Sequence, residues 1–213
     1  MTAHRAKDEF FSSCEASLKT VESMFNAARA GVIQRIESSG VDPRRAIQQE
    51  QRATHTLAWF KVYLLALTEV LTNAREVSRR SGFDTTIEDF TRIAVGELLN
   101  QIFSGISMSQ SEIARTAEIL EQSNSYRTEA IEELIFSGNT PARRVRLAHA
   151  VSQPGFVGFG ERTLDQTTAA MRNQIRTFVD ERISPHVQGW HLNDSYIPLD
   201  IIDELGSLGA FSL

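Results

Sequence analysis

Apolar residues recur every three or four positions through almost the whole chain, while the period-two alternation of a half-buried strand is hard to find. Leu18, Val21, Phe25, Ala28, Val32 and Ile36 form one stripe, which predicts a helix from about Glu15 to Glu37, stopped by Ser38-Ser39-Gly40. Asp42 is then a natural N-cap, and Pro43 suits the first helical position, where a missing N–H does no harm. The following helix is expected to run to about Arg80 along a spine of Ile47, Leu57, Phe60, Leu64, Leu67, Leu71 and Ala74. Trp59, Tyr63 and Leu65 widen its apolar face, as befits a helix central to a bundle.

Asp84 or Thr85 opens the next helix, with Ile87, Phe90, Ile93, Ala94, Leu98 and Ile102 expected inward. Gly96 sits inside it at a cost of about 1 kcal/mol against Ala, so a close helix crossing is expected there. Ser109 and Glu112 have capping-box spacing, with Met108 and Ile113 as a staple. Short helices are expected over 117–122 and 125–136, the second closed by Ser137-Gly138-Asn139, and Thr140-Pro141 opens another to about Val151. The run PGFVGFG reads as a linker over 154–160, tacked down by Phe156 and Phe159. Beyond it, Leu164, Thr168, Met171, Ile175, Phe178 and Ile183 make a new stripe. A Pro-punctuated turn holding Trp190 and His191 should follow, then a last helix entered through Pro198. The expected fold class is all-α: a helical module over 1–153, the linker, and the start of a second helical module over 161–213.

Composition narrows the classes. The chain of 213 residues is 41% hydrophobic and 23% charged, which excludes a disordered polar tract. A net charge of −5 gives no general attraction to nucleic acid. The most apolar window, Leu57 to Leu71, falls short of the ~20 residues of a bilayer span and carries Lys61 and Glu69. No apolar core of signal-peptide length opens the chain, and a lone cysteine, Cys14, fits a reducing compartment, so a cytoplasmic location is expected.

Each candidate for chemistry meets a physical objection. Gly155, Gly158 and Gly160 cluster, but a dinucleotide fingerprint needs a strand before its glycine turn, and none is predicted. His186, His191 and Asp194 lie close enough to supply metal ligands, yet Pro185 and Gly189 are expected to make their segment irregular. Cys14 sits by an expected frayed terminus with no histidine partner. Glu132-Glu133 and Asp203-Glu204 are adjacent helical pairs, pointing about 100° apart and so suited to solvated faces. Arg143, Arg144 and Arg146, like Arg44, Arg45 and Arg52, lack interleaved aromatics for a nucleic-acid surface; pairing with carboxylates between helices is the better expectation. No catalytic, cofactor-binding or metal residue is therefore assigned.

The C-terminal run RTFVDERISPHVQGWHLNDSYIPLDIIDELGSLGAFSL nevertheless resembles the N-terminal helices of the acyl-CoA dehydrogenase family. The matching residues are Arg176, Phe178, Glu181, Pro185, Trp190, Asp194, Ile197-Pro198, Leu208-Gly209 and Phe211, with Ser212 where the family often has glycine. Upstream, EQRATHTLAWFKVYLLAL (50–67), GELLNQIFSGISMSQSEIAR (96–115) and SGNTPARRVRL (137–147) resemble the helical extension of one branch, the (2S)-methylsuccinyl-CoA dehydrogenases of the ethylmalonyl-CoA pathway. PHVQGWHL (185–192) is also closer to that branch. The resemblance implies the N-terminal portion of an FAD-dependent homo-oligomer that oxidises an acyl-CoA and passes electrons to an electron-transfer flavoprotein. It also implies that the catalytic Glu and most flavin contacts lie beyond Leu213, so that this chain alone holds no flavin and is inactive. A stand-alone helical interaction module is the alternative, as is a dehydrogenase of other substrate range. The enzyme reading expects Leu205, Leu208, Phe211 and Leu213 to be under-buried.

Overall fold

The computed structural model describes residues 3–108, 111–156, 158 and 163–211. They are almost entirely helical, as the periodicity predicts. The chain divides into two compact units, residues 1–159 and 160–213.

The first unit begins with α1 (Ala3–Glu37), which starts well before the expected Glu15. Phe10, Phe11 and Cys14 are buried there and continue the stripe of Val21, Met24, Ala28 and Val32, so that first stretch is core rather than frayed end. After Gly40, Asp42 accepts hydrogen bonds from the N–H groups of Arg44 and Arg45 and caps α2 (Pro43–Gln49). The single helix expected from here to Arg80 is in fact broken at Glu50, and α3 (Gln51–Ser81) follows. Phe60, Leu64, Leu67, Leu71 and Ala74 are its buried spine; Ile47 and Leu65, expected to be apolar contacts, are exposed instead. The Phe60 ring meets Phe25 of α1 edge-on at 5.4 Å, and Phe83, just past α3, packs 5.0 Å from Phe11.

The hub is α4 (Thr85–Ser104), capped by Asp84, which accepts from the Ile87 N–H at 2.9 Å. It packs against α3, α5 (Glu129–Gly138) and α6 (Pro141–Val151). Its buried face is Ile87, Asp89, Thr91, Val95, Gly96, Leu99 and Ile102, so Phe90, Ile93, Ala94 and Leu98 are only half-buried, not innermost as expected. The rotation follows from the crossing with α5. A Cβ on Gly96 would stand 2.8 Å from the Leu134 carbonyl oxygen, and one on Gly138 would collide with the Arg92 carbonyl. The two glycines let the backbones meet, as the mid-helix position of Gly96 implied.

Between α4 and α5 the expected helix near Glu112 does not form. Residues Ile106–Ser107 (β1) and Ile113–Ala114 (β2) pair antiparallel, Ile106 opposite Ala114. Both of these side chains are buried, and the buried Thr116 hydroxyl donates to the Ile102 carbonyl at 2.9 Å. Burying Ile106 and Ala114 together favours a short ladder over a helical turn. Short 3-10 turns, Thr116–Glu118 and Ser123–Tyr126, replace the helices expected over 117–122 and the start of 125–136. The capping box falls on Ser109, outside the described residues. The linker expected over 154–160 is described only at 154–156 and 158.

In the second unit, α7 (Gln166–Phe178) is capped by Asp165 and runs without a break through a widened π turn (Val179–Ile183) into α8 (Ser184–Leu192). The Pro-punctuated turn expected around Trp190 is thus helix. Pro185 cannot donate to the carbonyl four residues back. The π turn absorbs this: the Ser184 N–H reaches the Val179 carbonyl, five residues back. Pro198 leads into α9 (Leu199–Ser207), as its sequence implied.

Candidate functional site

The described arginines and carboxylates largely find each other. Asp89, only 2% exposed on α4, accepts from Arg143 Nη1 at 2.6 Å and from Arg146 Nε and Nη2 at 2.8 Å each, both arginines coming from α6. Burial alone would raise the Asp89 pKa, but the hydrogen bonds from Arg146 and Arg143 outweigh it and hold the carboxyl below its ordinary value. Arg144 donates to the Asn139 side chain at 2.5 Å and lies 3.4 Å from Glu97, which also receives Asn139. Arg52 makes a two-pronged pair with Glu118, and Arg44 and Arg45 are exposed on α2. Inter-helix ion pairing is therefore what Arg143, Arg144, Arg146 and Arg52 do. The sequence singles out these arginines but not Asp89, the buried acid that gathers two of them; the available signal was the excess of arginines, 19 against 3 lysines.

The remaining candidates are dispersed. Burial pushes the Cys14 thiol up to about 12, against the pull of Arg92 and Arg75 and with a small push from Glu15. Glu132 pairs with Arg127, and Glu204 with Arg182, while Glu133 and Asp203 are exposed. His186 and His191 stand on one regular helix, α8, not on irregular chain. Five residues apart at about 100° each, they point to different sides. The His186 ring instead lies 5.8 Å from that of Trp190. Among the described residues, no group of three or more His, Cys, Asp or Glu is placed to hold a metal ion. Gly155 and Gly158 come after a helix, and the only described strands pair with each other far upstream. The described residues therefore form no strand–turn–helix cradle for a dinucleotide.

What the second unit offers is surface. Ile201 is its one buried hydrophobic residue among those described. Tyr196 is 96% exposed, Leu199 76% and Phe211 67%, and Val187, Leu192, Ile197 and Ile202 are also open to solvent. Leu205 and Leu208 are half-buried, and Leu213 lies outside the described residues. Arg182 on the π turn holds α9 with two bonds to Glu204, at 2.6 and 3.0 Å, so the α9 residues are presented on a fixed helix rather than a loose tail. Tyr196, Ile197, Leu199 and Ile202, close together in sequence, are large apolar side chains left open to solvent.

No helix among the described residues is long and apolar enough to cross a membrane. No family model matches the chain. It is 35% identical over 214 residues to a (2S)-methylsuccinyl-CoA dehydrogenase of Cereibacter sphaeroides, an alignment that takes in all of this chain and 39% of the relative. The similarity to (2S)-methylsuccinyl-CoA dehydrogenase therefore extends along the whole chain, which spans about two fifths of that relative's length.

Proposed function

We propose that these residues form the N-terminal portion of an FAD-dependent acyl-CoA dehydrogenase that oxidises (2S)-methylsuccinyl-CoA to mesaconyl-CoA in the ethylmalonyl-CoA pathway. The first unit is its helical extension, residues 1–153 with a linker over 154–160, and the second opens the family's N-terminal α-domain. The observation that carries this reading is similarity along the entire chain, extension included, to a relative of that name. The apolar surface around Tyr196, Leu199 and Ile202 supports it, since those residues need a neighbour to bury them. In this reading the flavin, the catalytic base and the acyl-CoA pocket are supplied by residues outside this chain, which alone is inactive. The complete protein is a cytoplasmic homo-oligomer whose electrons leave through an electron-transfer flavoprotein.

The test is made on the protein encoded by the complete reading frame, purified with its flavin and mixed anaerobically with (2S)-methylsuccinyl-CoA or with unbranched acyl-CoAs. Bleaching of the flavin band by the branched dicarboxylic thioester, with mesaconyl-CoA as product, is expected. Bleaching only by another acyl-CoA would replace the substrate, and a protein without flavin or oxidoreductase activity would overturn the reading.

A further inference from the structure

Within the first unit, α6 is held differently from the helices beside it. Its neighbour α5 sinks Ile131 and Leu134 into the core, and α2 buries Ala46, whereas α6 buries no residue at all. Val145 and Val151 face solvent, and Leu147 is half-buried. Between α6 and α4 runs an open apolar groove of about 560 Å³, lined by Phe90, Ile93, Leu147, Ala148, Val151 and Phe156. The strong attachments are polar: the double arginine clasp on Asp89, the Arg144–Asn139–Glu97 contacts, and the Arg143 Nε bond to the Ser137 carbonyl at 3.0 Å.

Asp89 makes this arrangement conditional. A carboxylate at a buried position is tolerated only while hydrogen-bonded cations compensate it. Here both cations ride on α6, so Asp89 is satisfied when α6 is docked and needs water when it is not. The side chains of Arg146 and Arg144 are half-exposed, so water can take over their hydrogen bonds without the core opening. We infer that α6 is a latch: a helix clasped onto α4 by Asp89 that opens as a unit while α1, α3, α4 and α5 stay folded. Opening frees the run from Thr140 to Gln153, the stretch immediately ahead of the connection to the second unit, and uncovers Phe90 and Ile93. This inference rests on the first unit alone and is independent of the proposed enzymatic activity.

Amide hydrogen exchange on the full 213-residue chain, read by peptide, tests it. In the unmodified chain, amides of 144–151 should exchange through a lower-energy opening than those of 91–104 and 132–138. Asp89→Asn should speed exchange in α6 by about tenfold or more while leaving peptides of α1 and α3 unchanged. Arg146→Gln, a change on a half-exposed side chain that leaves the core intact, should act in the same direction and also on α6 alone. Equal protection of α6 and α4 in the unmodified chain would overturn the latch, as would acceleration spread evenly over the unit in both variants.

Discussion

At the scale of single residues, position in the helical stripe predicts chemistry better than residue type does. Cys14 is nominally a nucleophile, but it falls four residues after Phe10 and seven before Val21, on the buried face of α1. Its thiol, pushed up to about 12 by that burial, carries almost no thiolate at neutral pH. Iodoacetamide should therefore label Cys14 only as fast as the first unit opens, and rapid stoichiometric labelling of the folded chain at pH 8 would show that α1 is not packed as described. The stripe was legible in the sequence from Leu18 onward; its extension to Phe10 was not, because Phe10-Phe11 beside Lys7, Asp8 and Glu9 looks like an ordinary polar terminus. Asp89 was illegible for the converse reason. A charged residue at a core position breaks the periodic rule, and only the fold reveals that α6 brings two arginines to it.

Among the elements, helix existence was readable and helix geometry was less so. The caps at Asp42, Asp84 and Thr140 stand where their sequence places them, because a cap is decided by a few local residues. The strand pair at 106–107 and 113–114 and the break at Glu50 depend on contacts that no local pattern records, whereas the π turn has a local cause in Pro185, which reads equally well as a turn. The α4–α5 crossing lies between these cases: Gly96 signalled a close approach, and Gly138 proves to be its counterpart. Gly138→Ala should destabilise the first unit by roughly 1–3 kcal/mol through overpacking against the Arg92 carbonyl, as read from a denaturant midpoint. An unchanged midpoint would mean that the helices do not meet at that spacing. The cost should exceed that of an alanine at the exposed Gly189 of α8, where nothing lies within 4 Å of the added Cβ.

For the whole molecule, the two units differ in how much apolar surface they bury. The first has a continuous core from Phe10 to Leu134, with Phe60, Leu67 and Leu99 fully buried. The second buries one hydrophobic residue among those described, and Val187, Leu192, Tyr196, Ile197, Leu199 and Ile202 stand exposed on α8, α9 and the segment between them. No catalytic residue was legible: the recognisable stretch, Arg176 to Phe211, resembles N-terminal helices, and that resemblance implies catalytic groups elsewhere. In the proposed function the second unit opens a larger catalytic domain, which covers its exposed apolar side chains. The most direct measurement compares hydrogen exchange and covalent footprinting of residues 187–202 in the 213-residue chain with the same residues in the protein of the complete reading frame. Strong protection of Tyr196, Leu199 and Ile202 in the longer protein, with the first unit little changed, is the predicted result. Equal labelling of those side chains in both proteins would contradict it.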